Sequence, residues 1–225
     1  MSPLPVQFTD RWGDRRGEPS YEDCVCWHLL LGADPGVRAV VAEAQRRLAR
    51  FGGMHMTPAR WLHVTVLLAG PAAAITREDM DQMIARVGTE LGGTPPIIVT
   101  LERVLYHPEG IAIGLSPVGA LSPVLAAAQT ATHEVTGANG STEDLGAAWT
   151  PHLTISYSTG EQLAAPVIAE LGKSVPGCEV TIDRLSLVVQ NGPEQLWDWR
   201  VAGAARLGGG NTGPPLPAQH TEPSR

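Results

Sequence analysis

One short pattern occurs twice in this chain and constrains its fold more than any other feature. The first copy reads WLHVTVLL over residues 61–68, and the second reads WTPHLTISY over residues 149–157. Each copy holds a histidine and a threonine separated by a single aliphatic residue. Because a repeated sequence pattern is the usual signature of a repeated structure, we expect a fold built from two related halves.

Apolar periodicity around the two copies predicts the same order of elements in both halves. In the first half we expect strand, helix, strand, helix and strand over residues 25–31, 35–50, 61–68, 76–91 and 95–104. Asp34 before Pro35, and Thr76 before Asp79, are typical helix starts. The second half repeats the order over residues 110–115, 121–135, 152–157, 162–171 and 179–190, and residues 195–202 return as a hairpin partner.

Side chains alternate between the two faces of a strand, so each copy separates polar from aliphatic residues. His63 and Thr65 point one way and Val64 points the other, and His152 and Thr154 likewise share one face. Each strand therefore presents an imidazole and a hydroxyl about 7 Å apart. If a pseudo-twofold axis relates the halves, two imidazoles and two hydroxyls meet in one cleft.

Two imidazoles at a common point favour acid–base displacement at phosphorus. A neutral ring takes a proton from the attacking water or hydroxyl, and a protonated ring gives one to the leaving oxygen. The two threonine hydroxyls would bind the non-bridging phosphate oxygens, and this chemistry needs no metal or cofactor. A buried histidine satisfied by the backbone is the commoner role for any single copy, and that alternative stays open at this point.

The two motifs, HVTV at residues 63–66 and HLTI at residues 152–155, resemble the 2H phosphoesterase superfamily and, within it, the 2′-5′ RNA ligase and cyclic phosphodiesterase family. The resemblance implies a bilobal α+β fold, duplicated about a pseudo-twofold axis. Two antiparallel sheets would face each other across a cleft, with helices outside. We expect one such domain over residues 23–202, with lobes at about 23–104 and 105–202, an N-terminal extension over 1–22 and a disordered tail over 203–225.

The resemblance also implies opening of a 2′,3′-cyclic phosphate on a nucleotide or RNA end. His63, Thr65, His152 and Thr154 match the catalytic positions, and we expect His152 as base and His63 as acid. Tyr157 matches a position near the ligand, although ideal strand alternation turns it away from His152. A nucleotide-binding module without turnover and a 2′-5′ RNA ligase are the alternatives.

Four further residues near the motifs are candidate substrate contacts, namely His28, Trp61, Trp149 and Arg60. A core role for the tryptophans and a solvated strand end for Arg60 are the structural alternatives. Cys24, Cys26 and His28 would share one strand face, but the outer two lie about 13 Å apart on an extended strand, too far to bind one metal ion.

Composition limits the classes of ligand and the cellular compartment that we expect for this protein. The formal net charge is −7, which makes long nucleic acid a doubtful ligand and favours a small nucleotide or an RNA end. Three cysteines do not form a disulfide framework, and the chain shows neither a secretory signal nor a membrane-spanning run. We therefore expect a cytoplasmic protein. We also expect a monomer.

Overall fold

Antiparallel strands dominate the computed structural model, which describes residues 4–13, 23–142 and 149–208. The strands are β1 (Gln7–Phe8), β2 (Cys24–Leu30), β3 (Met54–Met56), β4 (His63–Pro71), β5 (Ile97–His107), β6 (Gly110–Ser116), β7 (His152–Ser158), β8 (Gln162–Leu163), β9 (Ser174–Ile182), β10 (Arg184–Gln190) and β11 (Trp199–Arg206). The helices are α1 (Pro35–Leu48), α2 (Arg77–Leu91), α3 (Ser122–Thr136) and α4 (Ala164–Leu171). None of the helices in these ranges is long and apolar enough to cross a bilayer.

Two main sheets carry the fold. One has the strand order β11-β10-β2-β4, the other has the order β3-β7-β6-β5-β9, and β1 pairs separately with β8. All neighbouring strands are antiparallel. Strands β4 and β7, which carry the two motifs, approach within 8 Å between Cα atoms. The predicted α+β class with two antiparallel sheets is confirmed.

The helix starts follow the predicted caps. The Asp34 carboxylate accepts a hydrogen bond from the backbone N–H of Val37 at 3.0 Å, and Pro35 opens α1. At α2, the Asp79 N–H donates to Thr76 Oγ1 at 3.1 Å, and the Thr76 N–H donates to the Asp79 carboxylate at 2.8 Å. This capping box satisfies two N–H groups that an uncapped helix leaves without partners.

The predicted lobe boundary at residue 104 is wrong, because each sheet draws strands from both halves of the chain. The first sheet combines β2 and β4 with β10 and β11, and the second combines β3 and β5 with β6, β7 and β9. The helices likewise pack on strands from the other half of the chain: α1 packs on β9 of the second sheet, and α3 packs on β4 of the first.

The physical reason lies at Asp183, where the predicted single strand over residues 179–190 divides in two. Strand β9 ends at Ile182 in one sheet, and β10 begins at Arg184 in the other. The Asp183 carboxylate accepts hydrogen bonds from the Arg184 guanidinium at 2.9 and 3.0 Å. A continuous apolar pattern does not reveal that a strand changes sheets.

The described parts of the N-terminal extension and of the predicted tail are more structured than expected. Strand β11 runs to Arg206, and Leu207 is buried, so the predicted disordered tail does not begin at residue 203; residues 209–225 lie outside the described ranges. In the N-terminal extension, Phe8 is fully buried and β1 pairs with β8. Residues 1–3 and 14–22 of that extension also lie outside the described ranges.

Bulges in the motif strands decide which side chains reach the cleft. Opposite β6, Ser156 pairs with Ile111 and Thr154 pairs with Ala112, so Ile155 is an extra residue in β7. The Ile155 carbonyl accepts hydrogen bonds from the Gln45 side chain at 2.9 Å and from the Thr57 N–H at 3.1 Å. Such a bulge reverses the alternation of side chains beyond it.

We expect Gln45→Leu to destabilise the protein by about 1–3 kcal/mol, because the Gln45 amide also donates to the Thr57 carbonyl at 2.8 Å and two buried acceptors would lose a donor. Urea unfolding measures the change. Gln82→Leu, at an exposed site on α2, is the matched control and should shift the free energy of unfolding by less than about 0.5 kcal/mol. Equal midpoints for the two variants would contradict this role of Gln45.

Candidate active site

The two motif histidines are anchored in the same way. His63 Nδ1 lies 2.7 Å from the Trp61 carbonyl oxygen, and His152 Nδ1 lies 2.7 Å from the Thr150 carbonyl oxygen. Because a carbonyl oxygen only accepts hydrogen bonds, Nδ1 carries the hydrogen in both rings. In each neutral imidazole, Nε2 is therefore the nitrogen that can take up a proton.

The predicted alternation holds along the start of each motif strand. Val64 and Leu153 are fully buried, whereas His63, Thr65, His152 and Thr154 are partly exposed. The indole Nε1 of Trp149 donates to the Thr65 carbonyl at 3.2 Å. The start of the second motif is thus hydrogen-bonded directly to the strand of the first.

A small open cleft lies beside the first motif. Its walls come from β2, β4, β7 and the segment that joins β10 to β11. The lining residues are Cys26, His28, His63, Thr65, Leu68, Tyr157, Gln190, Glu194, Trp197 and Trp199. His28 and Tyr157 line the cleft together with His63. The expectation that Tyr157 turns away from His152 is wrong, because the bulge at Ile155 reverses the alternation of side chains in β7.

The His63 ring lies in an enclosed, largely aromatic environment. It stacks on the His28 ring with centroids 4.3 Å apart and planes 27° apart, and it meets the rings of Trp199 and Trp197 edge-on at 4.8 and 5.5 Å. Burial lowers the pKa of His63 to about 4. The Trp61 carbonyl and the Glu194 carboxylate oppose that shift, and the positive charge of His152 adds to it.

His28 is the more deeply buried of the stacked pair. Burial, together with repulsion from the protonated form of His63, holds the pKa of His28 well below its usual value of 6.5. Within the described residues, its Nδ1 has no hydrogen-bond partner, and neither has Oγ of Ser186, the residue opposite it on β10.

Trp12, Tyr157, Trp197 and Trp199 form an aromatic wall, and the last three of them line the cleft. Trp197 contacts Tyr157 with ring centroids 5.5 Å apart, and Tyr157 contacts Trp12 with centroids 5.4 Å apart. The backbone of Trp197 has φ +52°, a left-handed conformation that is rare for a bulky residue and clusters at ligand sites. The alternation of Trp197 and Trp199 along the sequence is the signal that indicates this wall.

A partly buried ion-pair cluster, formed by Arg11, Glu109 and Glu194, reaches the cleft through Glu194. The Arg11 guanidinium donates to both oxygens of Glu194 at 2.9 and 3.2 Å and to Glu109 at 2.7 Å. Trp12 Nε1 donates to Glu194 at 3.2 Å. One of the three arginines in the leading segment of the chain gives no sequence signal for such a cluster.

The other candidate substrate contacts, Trp61, Arg60 and Trp149, lie at different places in the fold. Trp61 is half-buried and meets Trp199 edge-on at 4.7 Å, and the exposed Arg60 places its guanidinium 5.0 Å from the Trp61 ring. Trp149 packs against the main core and binds a backbone carbonyl, so the structural alternative holds for it. No group of three potential metal ligands occurs among the described residues, and Cys24, Cys26 and His28 form none.

The lowered pKa of His63 predicts a loss of stability in acid. Between pH 6.5 and about pH 4 the unfolded chain binds a proton that the folded His63 does not, so the free energy of unfolding falls as the pH decreases across this window. We expect the wild type to lose about 2 kcal/mol more than His63→Gln between pH 7 and pH 4.5. Urea unfolding at the two pH values measures this difference.

The variant His133→Gln, at an exposed helix position, is the control and should behave like the wild type. Identical pH dependence of the unfolding free energy for His63→Gln and the wild type would contradict the prediction.

Comparison with known proteins agrees with this geometry. No curated protein sequence matches the chain significantly. A Thermus thermophilus structure matches with a TM-score of 0.62 at 18% identity, over 83% of this chain and 98% of its own. Escherichia coli LigT matches with a TM-score of 0.58 at 14% identity, over 82% and 97% of the two chains, both in its apo form and in complex with 3′-AMP.

These structural matches, at such low identities, establish the fold. The family model described as the 2′-5′ RNA ligase superfamily matches residues 34–194, well over half of the sequence. The resemblance seen in the two motifs is therefore confirmed, and the chain belongs to the 2′-5′ RNA ligase superfamily of 2H phosphoesterases.

Proposed function

We propose that this protein is a phosphodiesterase that opens a 2′,3′-cyclic phosphate by acid–base catalysis between His63 and His152. One observation carries the proposal. Two histidines on neighbouring strands of different sheets are anchored identically through Nδ1, and each is therefore left with Nε2 to exchange a proton. A backbone-satisfied core histidine would not need a second copy held in the same tautomer on a neighbouring strand.

The environments of the two rings favour His63 as the base. A general base must be neutral before the reaction, and the enclosure of His63 by His28, Trp197 and Trp199 favours the neutral form. His63 would take a proton from water as the water oxygen attacks phosphorus. His152 would protonate the ribose oxygen as its bond to phosphorus breaks. This assignment reverses the roles expected from the sequence.

Thr65 and Thr154 complete the proposed site. Each hydroxyl lies two residues after its histidine on the same face of the strand. We expect both hydroxyls to contact a phosphoryl group bound between the two rings. Hydroxyl donors directed at non-bridging oxygens stabilise the charge that develops during displacement. The aromatic rings beside them would contact the nucleoside.

Small nucleotides are the substrate class we propose. Solved structures of LigT, which share this fold, are complexes with ATP, 3′-AMP and NADP⁺. The acidic net charge of −7 supports a mononucleotide or a short RNA end in preference to long nucleic acid. The odd number of cysteines supports the reducing cytoplasm as the compartment, and we keep the monomer as a prediction.

Turnover of the four 2′,3′-cyclic mononucleotides in EDTA, followed by phosphorus NMR, tests the proposal. We expect opening to a single monophosphate isomer, and we expect His63→Ala and His152→Ala each to reduce kcat/KM by about 10²–10⁴-fold. His133→Ala is the exposed control and should retain full activity. Full activity in either motif variant would refute the mechanism, and binding without turnover in the wild type would favour the binding-module alternative.

A substrate with a good leaving group separates the acid from the base. On a deoxynucleoside 3′-(4-nitrophenyl phosphate), only water can attack, and the departing nitrophenolate needs no proton. We therefore expect His152→Ala to keep at least ten times more activity than His63→Ala, measured by nitrophenolate absorbance at about pH 7.5. The opposite ranking would restore His152 as the base.

A further inference from the structure

The indole N–H of Trp197 is a buried donor that no described residue accepts. The side chain is only 3% exposed, and within the described residues its Nε1 has no hydrogen-bond partner. By contrast, Trp12, Trp27 and Trp149 each donate this group to a protein oxygen. Because a buried donor without an acceptor costs free energy, such groups are rare in native proteins, and each one needs an explanation.

The backbone of Trp197 adds a second local cost. Its φ of +52° and ψ of +40° place a bulky residue in the left-handed region, at the end of the short turn Glu194–Leu196. The turn holds it there, since the Trp197 backbone N–H donates to the Glu194 carbonyl at 3.1 Å. Strained residues of this kind are concentrated at ligand sites, where the local cost is retained because it serves binding.

Trp197 lies where a ligand of the cleft would meet it. Its side chain lines the cleft together with His63 and Thr65, and its ring centroid is 5.5 Å from that of His63. The rings of Tyr157 and Trp199 flank it, with centroids 5.5 and 6.0 Å away. A group that contacts the His63 ring from the cleft is therefore a neighbour of the Trp197 indole.

We propose that Trp197 is a substrate-binding residue whose indole N–H donates to a non-bridging oxygen of the phosphoryl group. The inference rests on the proposed function, because it takes the phosphoryl group to bind beside His63. An indole nitrogen only donates hydrogen bonds, and a charged phosphate oxygen is the strongest acceptor that a nucleotide offers it. The hydroxyl of Thr65, in the same lining, would bind another oxygen of the group.

Binding would shift the Trp197 side chain. Its Nε1 is buried in this structure, so the indole would have to turn for its N–H to face the ligand. No side-chain hydrogen bond of Trp197 to a described residue would break in that turn, and the phosphate oxygen would supply the acceptor that the N–H lacks. We therefore expect the indole N–H to respond directly to the phosphoryl group.

Two tryptophan-to-phenylalanine variants separate ligand binding from folding. Trp197→Phe removes the N–H and keeps an aromatic ring. Trp27→Phe is the matched control, because Trp27 is fully buried and its Nε1 donates to Thr132 Oγ1 at 3.1 Å. Only the control loses a hydrogen bond within the protein, so it should lower the urea midpoint more than Trp197→Phe does. The loss of ligand affinity should have the reverse order.

Calorimetric titration with two ligands tests which part of the nucleotide the N–H binds. The 2′-deoxynucleoside 3′-(methyl phosphates) carry a phosphodiester and have no 2′-hydroxyl for cyclisation, and the 2′-deoxynucleosides lack the phosphoryl group altogether. We expect Trp197→Phe to lower the ratio of diester affinity to nucleoside affinity about 10-fold, since a hydrogen bond to a charged group is lost. Trp27→Phe should leave the ratio at the wild-type value.

The indole proton signal in a ¹H–¹⁵N NMR spectrum reports the same contact without any turnover. The signal of Trp197 is assigned by its absence from the spectrum of Trp197→Phe, and that of Trp27 by its absence from the spectrum of Trp27→Phe. Addition of the diester should move the Trp197 signal downfield, because its N–H gains an acceptor. The Trp27 signal should stay in place.

An unchanged affinity ratio in Trp197→Phe, an equal loss of affinity for both ligands, no binding of the diester to the wild type, or a Trp197 signal that does not move would overturn this role. Turnover of cyclic phosphates alongside any of these results would leave the proposed function intact and remove only this inference. A lowered ratio with a downfield shift, but without turnover, would support the contact and refute the phosphodiesterase.

Discussion

The contact between β4 and β7 is the constraint on which the site depends. These strands belong to different sheets, yet they approach within 8 Å, and the Trp149 indole joins them through the Thr65 carbonyl. Each strand begins with a histidine whose Nδ1 is bound to a carbonyl two residues earlier. The identical anchoring means that a small change in the spacing of the sheets would separate the two proposed catalytic groups without altering either one locally.

Local sequence signals predicted local structure well. The caps at Asp34 and Thr76 set the starts of α1 and α2, and the alternation of Val64 with its polar neighbours set the buried face of β4. These features depend on contacts between residues three or four apart, or on the parity of a strand. Short-range contacts and strand parity can both be predicted directly from the order of the amino acids.

The features that the sequence did not reveal depend on non-local contacts. The bulge at Ile155 is held by Gln45 of α1, far away in the chain, and it turns Tyr157 into the cleft against the expected parity. At Asp183 the chain passes from one sheet to the other, and β11 then pairs with β10. An apolar run in the sequence does not indicate which of the two sheets a strand joins. Glu194 enters the site because Arg11 binds it from the opposite end of the chain.

The exchange of strands between the halves also has a consequence for synthesis on the ribosome. The second sheet has all its strands once residue 182 has been made, but the first sheet, which contains His63, has only β2 and β4 until β10 and β11 follow. One edge of β2 therefore stays unpaired until β10, which follows residue 183, has been made. A nascent chain that has completed both motifs still exposes an unpaired edge of β2, a surface on which a chaperone or another unfinished copy can bind.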